Sequence, residues 1–267
     1  MKNIFFLFGL SVLLWLTSCN KDENGLNFFS LNDDKELGLK VKQEIEADPV
    51  QYPILDKNKY QAAYNYLEEM KNKILDGDKV TYKNEFAWEL FIIQNDSIQN
   101  AFCTPGGYIY LYTGLIKYLD NATSLAGVLG HEIAHADKRH TTEAMTKQYG
   151  LSTLVSIVLG KNQNTLTDIA QGLVSLSFSR ENEKEADKYS VIYLCPTLYR
   201  ANGASEFFQK IIQQGGMQVP AFLSTHPNPD NRVDNINNET NSLSCSGGNI
   251  SQSEDVTAYN AFKATLP

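Results

Sequence analysis

The sequence predicts an α+β fold, mainly helical with one small antiparallel sheet, and three observations carry that expectation. Apolar residues recur at helical spacing in several long segments, short alternating runs lie close together between turn formers, and no apolar run reaches 18 residues. The last point argues against a polytopic membrane protein, as does the mean hydropathy of -0.32. At 267 residues the chain can bury a sizeable core, and its 13 Phe and 14 Tyr are incompatible with disorder. Its 23 Lys+Arg against 31 Asp+Glu give a formal charge of -8, so it offers phosphates no basic surface and no nucleic-acid partner is expected.

In chain order, Lys2 precedes an apolar stretch over 4–16 that is too short to span a bilayer, the layout of a secretory signal. It ends in Leu16-Thr17-Ser18-Cys19, which resembles a bacterial lipobox: small residues before a cysteine that becomes the acylated first residue after cleavage. Residues 1–18 are read as a lipoprotein signal peptide, Cys19 as the lipidation site and the polar residues 19–32 as a tether to a membrane. The main domain then covers 33–240, and 241–267 is read as a C-terminal tail.

A first helix, capped from within 32–34, carries Leu37, Val41 and Ile45 on one face until Pro49 ends it. A second, over 57–75, places Tyr60, Tyr64, Leu67, Met70 and Ile74 at helical spacing, a core stripe. Runs at 86–93, 101–103 and 108–112, separated by Asn95-Asp96 and Pro105-Gly106-Gly107, make the antiparallel sheet. Thr123 or Ser124 caps a helix that turns Leu125, Val128, Leu129 and Ile133 inward and continues to about His140. The apolar run 151–159 reads as part of a lid or hairpin, 166–194 as another helix and 235–253 as loop-like. Once Cys19 is acylated, three cysteines remain: Cys195 and Cys245 can bridge, though spacing does not fix the pairing, and Cys103 reads as a buried thiol.

The chemistry centres on His131-Glu132-Ile133-Ala134-His135, the H-E-x-x-H pattern, inside a helical segment. Residues four apart share a helix face, so two imidazoles can hold one zinc. Glu132 lies close enough to take a proton from a water that the metal activates. A catalytic zinc needs a third protein ligand and an open position. Lys138 and Thr141 stand where one large class of these enzymes requires Gly and His, so the ligand must come from elsewhere. The segment Ser179-Arg180-Glu181-Asn182-Glu183-Lys184-Glu185-Ala186-Asp187 offers three glutamates. Glu183 and Asp187 are four apart, which allows Glu183 to ligate while Asp187 accepts the free ring N–H of a ligand histidine. A solvated acidic face is the alternative.

These residues resemble the zinc metalloendopeptidases related to the CAAX prenyl proteases and HtpX, in their soluble periplasmic BepA-like branch. The resemblance is carried by Glu36-Leu37-Gly38, Asn100-Ala101-Phe102, Pro105-Gly106-Gly107-Tyr108-Ile109 and Gly114-Leu115. It continues through Leu125 to the zinc helix with Arg139-His140, then Ser179-Arg180, Glu183, Ala186-Asp187, Thr225-His226-Pro227 and Arg232. It implies a zincin-type (gluzincin) domain with one zinc per chain held by His131, His135 and Glu183, with Glu132 as general base and Asp187 behind a ligand. His226 falls in a late His-Pro motif, where it either stabilises the oxyanion or occupies the fourth zinc position at rest; Arg232 braces or supports it. The expectation is a lipid-anchored envelope peptidase, on the periplasmic face of the outer membrane, acting on unfolded or misassembled proteins, with envelope assembly machinery as a candidate partner. Pro105, Gly106, Gly107 and Tyr108, with the strand that follows, would hold extended substrate by backbone pairing. A rival is an assembly factor or chaperone in which proteolysis is incidental.

Overall fold

A computed structural model describes residues 29–214, 220–227, 231–245 and 247–267. The signal peptide, Cys19 and most of the tether lie outside the described residues. Among those described, no helix is long and apolar enough to cross a membrane.

Helix α1 (Leu31–Ala47) opens on a capping box: Ser30 Oγ accepts the Asp33 amide, and Asp33 accepts the Ser30 amide in return. Helix α2 (Gln61–Leu75) begins later than its apolar stripe suggested. The strands are β1 (Glu89–Ile93), β2 (Ala101–Thr104) and β3 (Tyr108–Tyr112). The Pro105–Gly107 turn pairs β2 with β3 antiparallel, as expected. The order is β1-β3-β2, however, so β1 runs parallel to β3 and the sheet is mixed. The segment between β1 and β2 passes the end of β3's position, and that crossover sets the direction.

Both faces of the sheet are buried, and the period of two sorts the side chains between them. Leu90, Ile92, Ala101, Cys103, Ile109 and Leu111 join one core, while Phe91, Ile93, Phe102, Tyr110 and Tyr112 join another. The first core is completed by α2, by the short α3 (Thr113–Tyr118) and by α4 (Ala122–Asp137), which is buried along its whole length. Asn121, rather than Thr123 or Ser124, caps α4 by accepting the Ser124 amide at 2.8 Å.

The helix ends at Asp137, short of His140, because Arg139 adopts φ 61° and starts a new helix, α5 (His140–Tyr149). Residues 151–158 are helical, α6 (Leu151–Val158), and pack with α7 (Gln163–Gly172) on α1. The expected helix over 166–194 is broken. A 3-10 turn, Leu173–Ser175, and an extended stretch with buried Leu176 and Phe178 precede α8 (Arg180–Leu194), whose capping box pairs Ser179 with Asn182.

Helix α9 (Gly203–Gln213) crosses α4 closely: a Cβ on Gly127 would stand 2.0 Å from the Ala204 amide nitrogen, so only glycine fits there. Two short pieces, α10 (Phe222–Thr225) and α11 (Arg232–Ser242), follow. The C-terminal residues are not a tail. Helix α12 (Gln252–Lys263) buries Tyr259 and Phe262 in the first core, and Asp255 Oδ1 accepts the Thr123 amide at 2.8 Å, a second cap on α4. A Cys195–Cys245 disulfide joins the end of α8 to the segment leading into α12, and Cys103 is a buried free thiol.

Candidate metal centre

One helical turn of α4 sets His131 and His135 side by side with their Nε2 atoms 3.0 Å apart. Helix α8 lies across them, seated by Ser190, whose hydroxyl donates to the Gly127 carbonyl at 2.9 Å. This crossing brings Glu183 to the pair: Oε2 is 3.4 Å from Nε2 of His131 and Oε1 is 3.3 Å from Nε2 of His135. The end of α10 adds His226, with Nδ1 3.0 Å from Glu183 Oε1 and 3.3 Å from His131 Nε2. Four potential donor atoms thus lie within 4.8 Å of one another, all on buried residues. Sequence reasoning had assigned three of them to a metal and left the fourth between two roles.

The arrangement suits a divalent cation. Tetrahedral zinc with nitrogen ligands at about 2.0 Å separates them by roughly 3.3 Å, close to the 3.0 Å between the two helix histidines and the 3.3 Å between His131 and His226. Both oxygens of Glu132 are buried without a hydrogen-bond partner, and the nearest ring nitrogen, His226 Nε2, is 3.4 Å away. An orphaned buried carboxylate is costly and marks a place where a water or reacting group belongs.

The electrostatics of these groups differ. Burial pushes the Glu183 carboxyl up, but His226, Arg232 and the two helix histidines outweigh it and hold it well below the usual range, ionised as a ligand must be. Burial keeps His135 well below the ordinary histidine value, and so neutral. Burial opposes a charge on His131 too, yet Asp187 and Glu183 raise it to about 9, a proton with which a metal ion competes. Glu132 is raised by burial, the direction that suits a group that takes up a proton and hands it on.

Around the cluster, Asp187 Oδ1 is 2.9 Å from His131 Nδ1, and both its oxygens take the Arg232 guanidinium, at 2.6 and 2.7 Å. The same guanidinium reaches Glu183 Oε2 at 2.9 Å and stacks on Phe208 at 4.0 Å. Phe178 stacks on His135 and Phe222 on His226, with ring centroids 3.8 and 4.0 Å apart. Glu181 is exposed, and Glu185 turns instead to His140.

The expected substrate residues are not brought to the cluster. The turn packs on α1, where a Cβ on Gly38 would meet the Pro105 carbonyl, while Gly106 lies over Lys35 and Gly107 against Trp88. Tyr108 belongs to the central strand, whose two edges are already paired, so backbone pairing of substrate with β3 is ruled out. Among the described residues, the outer edge of β2 carries no further strand, but it is buried against α4 and α5. Tyr112 N–H donates to the Asn100 carbonyl at 3.1 Å, so alternation turns the backbone groups of Ala101 and Cys103 outward, where Asn100 Oδ1 accepts the Ala101 amide at 2.9 Å and the Thr141 hydroxyl donates to the Cys103 carbonyl at 3.3 Å. Strand order is not written in local sequence, so this edge was missed.

An H-E-x-x-H helix completed by a glutamate from a second helix is the donor set of metallopeptidases. Comparison with known proteins agrees: residues 61–240 match the model of peptidase family M48, and the chain belongs to that family. It is 33% identical over 171 residues to the beta-barrel assembly-enhancing protease of Yersinia pestis (58% of this chain, 35% of that protein). It is 33% identical over 147 residues to the mitochondrial metalloendopeptidase OMA1 of Arabidopsis thaliana (55% and 30%). Against OMA1 of Saccharomyces cerevisiae it is 28% identical over 217 residues (76% and 60%). The match thus spans about a third of the first two relatives.

Proposed function

We propose that this chain is a zinc-dependent endopeptidase, anchored by lipid at Cys19 to the bacterial cell envelope, that hydrolyses unfolded or misassembled envelope proteins. The observation that carries the reading is the orphaned Glu132 carboxylate beside the buried donor set of His131, His135, Glu183 and His226. Zinc held there would polarise a peptide carbonyl and acidify a water. Glu132 then takes the proton of the attacking water and returns it to the leaving amine. Binding an extended substrate through its backbone, an interaction indifferent to side chains, would make sequence specificity low.

His226 would help to hold the metal at rest and give way to substrate, moving with the short α10, whose Phe222 stacks on it. The names of the bacterial relatives suit work beside envelope assembly machinery. A purely structural or chaperone role gives no use to a partnerless buried carboxylate. The test is cleavage of casein by the wild type and Glu132→Gln, each checked for bound zinc. The reading expects loss of cleavage with zinc retained; equal cleavage by both overturns it.

A further inference from the structure

We infer that His140 and Glu185 form a positioning relay that fixes the tautomer and orientation of His135, a role that rests on the metal reading above. His135 turns Nε2 toward the cluster, and its Nδ1 stands 3.1 Å from Nδ1 of His140. The far nitrogen of His140, Nε2, is 3.2 Å from Oε2 of Glu185. A carboxylate can only accept, so His140 carries a proton on Nε2; in its neutral form the bare Nδ1 then accepts from the Nδ1–H of His135. His135 is left with a bare Nε2 facing the cluster, the form a metal requires.

The backbone is built for this contact. Continued as a straight helix, α4 would carry residue 140 roughly 140° around the axis from His135, out of reach of its Nδ1. The left-handed turn at Arg139, φ 61°, restarts the chain as α5 and returns the His140 ring to that nitrogen. His140 is 2% exposed, so water does not compete for the bond. Phe178 holds the His135 ring by stacking, at 3.8 Å between centroids. Helix α8 therefore braces both histidine arms of α4: Asp187 reaches His131 directly, and Glu185 reaches His135 through His140. The acidic run around Glu183 thus has a use for each buried or half-buried acid.

The experiment measures zinc affinity of the purified chain by competition with a chromophoric chelator, beside 15N spectra of histidine-labelled, metal-free protein; with four histidines the signals are assignable. The relay predicts that His140→Phe weakens zinc binding about tenfold to a hundredfold and Glu185→Gln severalfold. His140→Asn, which can place an amide oxygen where Nδ1 was, restores most of the affinity, and in that background Glu185→Gln has no further effect. In the spectra His135 is protonated on Nδ1 and bare on Nε2. Wild-type affinity in His140→Phe, a full Glu185→Gln effect in the His140→Asn background, or His135 protonated on Nε2 overturns the relay. A wild type that binds no zinc overturns the metal reading instead, and the relay with it. Should His140→Phe fail to fold, His140→Asn and Glu185→Gln decide the matter.

Discussion

His131 Nδ1 and Asp187 Oδ1 are 2.9 Å apart, and this contact joins α4 to α8 on the side away from the cluster. Asp187 also carries the buried Arg232, so its carboxylate balances two cationic partners at once. Asp187→Ala leaves Arg232 without its main counter-ion and is expected to cost roughly 3–5 kcal/mol of stability. Asp187→Asn keeps an acceptor for His131 and should fold, with zinc affinity about tenfold to a hundredfold weaker. Denaturant unfolding and chelator competition check the two variants; unchanged affinity in Asp187→Asn would remove the residue from the metal site.

His226 separates two mechanisms. As a resting cap, its loss opens the fourth position, so His226→Ala is expected to cleave casein faster than the wild type. A loss of roughly two to three powers of ten in rate would instead make it an oxyanion donor that the enzyme cannot spare.

The C-terminal helix is expected to matter for a catalytic helix far from it in sequence. Asp255→Ala removes both the cap on the Thr123 amide and the Arg200 ion pair at 2.8 Å, and should cost at least roughly 1–2 kcal/mol in denaturant unfolding. Stability equal to the wild type would show that the Asn121 cap alone suffices.

Acylation of Cys19 is tested by labelling with a fatty-acid analogue in cells. The label should reach the wild type and be absent from Cys19→Ala; equal labelling of both excludes the anchor.

The parts legible in the sequence were those fixed by local periodicity. His131 and His135 share a face because they are four residues apart, and Glu183 with Asp187 follows the same rule. The extent of β3 and the core faces of α1 and α2 came from period and turn formers. The losses came where one residue or a distant contact decides. Arg139 in the left-handed region ends α4 early and creates the His140 contact, which no helical wheel shows. The crossover that puts β3 in the centre leaves β2 at the outside of the sheet. Two breaks did carry signals: Ser179 with Asn182, and Ser251 with Glu254, are capping boxes, and they mark the start of α8 and of the helix read as a tail. The disulfide joins residues 50 apart, a pairing spacing could not settle.

The central claim is that Glu183, from a different helix than the histidines, completes the metal site. Metal analysis of purified wild type, Glu183→Gln, Glu181→Gln and Glu185→Gln after loading with excess zinc and desalting tests it most directly. The account predicts one zinc per chain in the wild type, near-complete loss in Glu183→Gln and retention in the other two, Glu185→Gln holding it more weakly. Full zinc content in Glu183→Gln, or loss confined to Glu185→Gln, would contradict it.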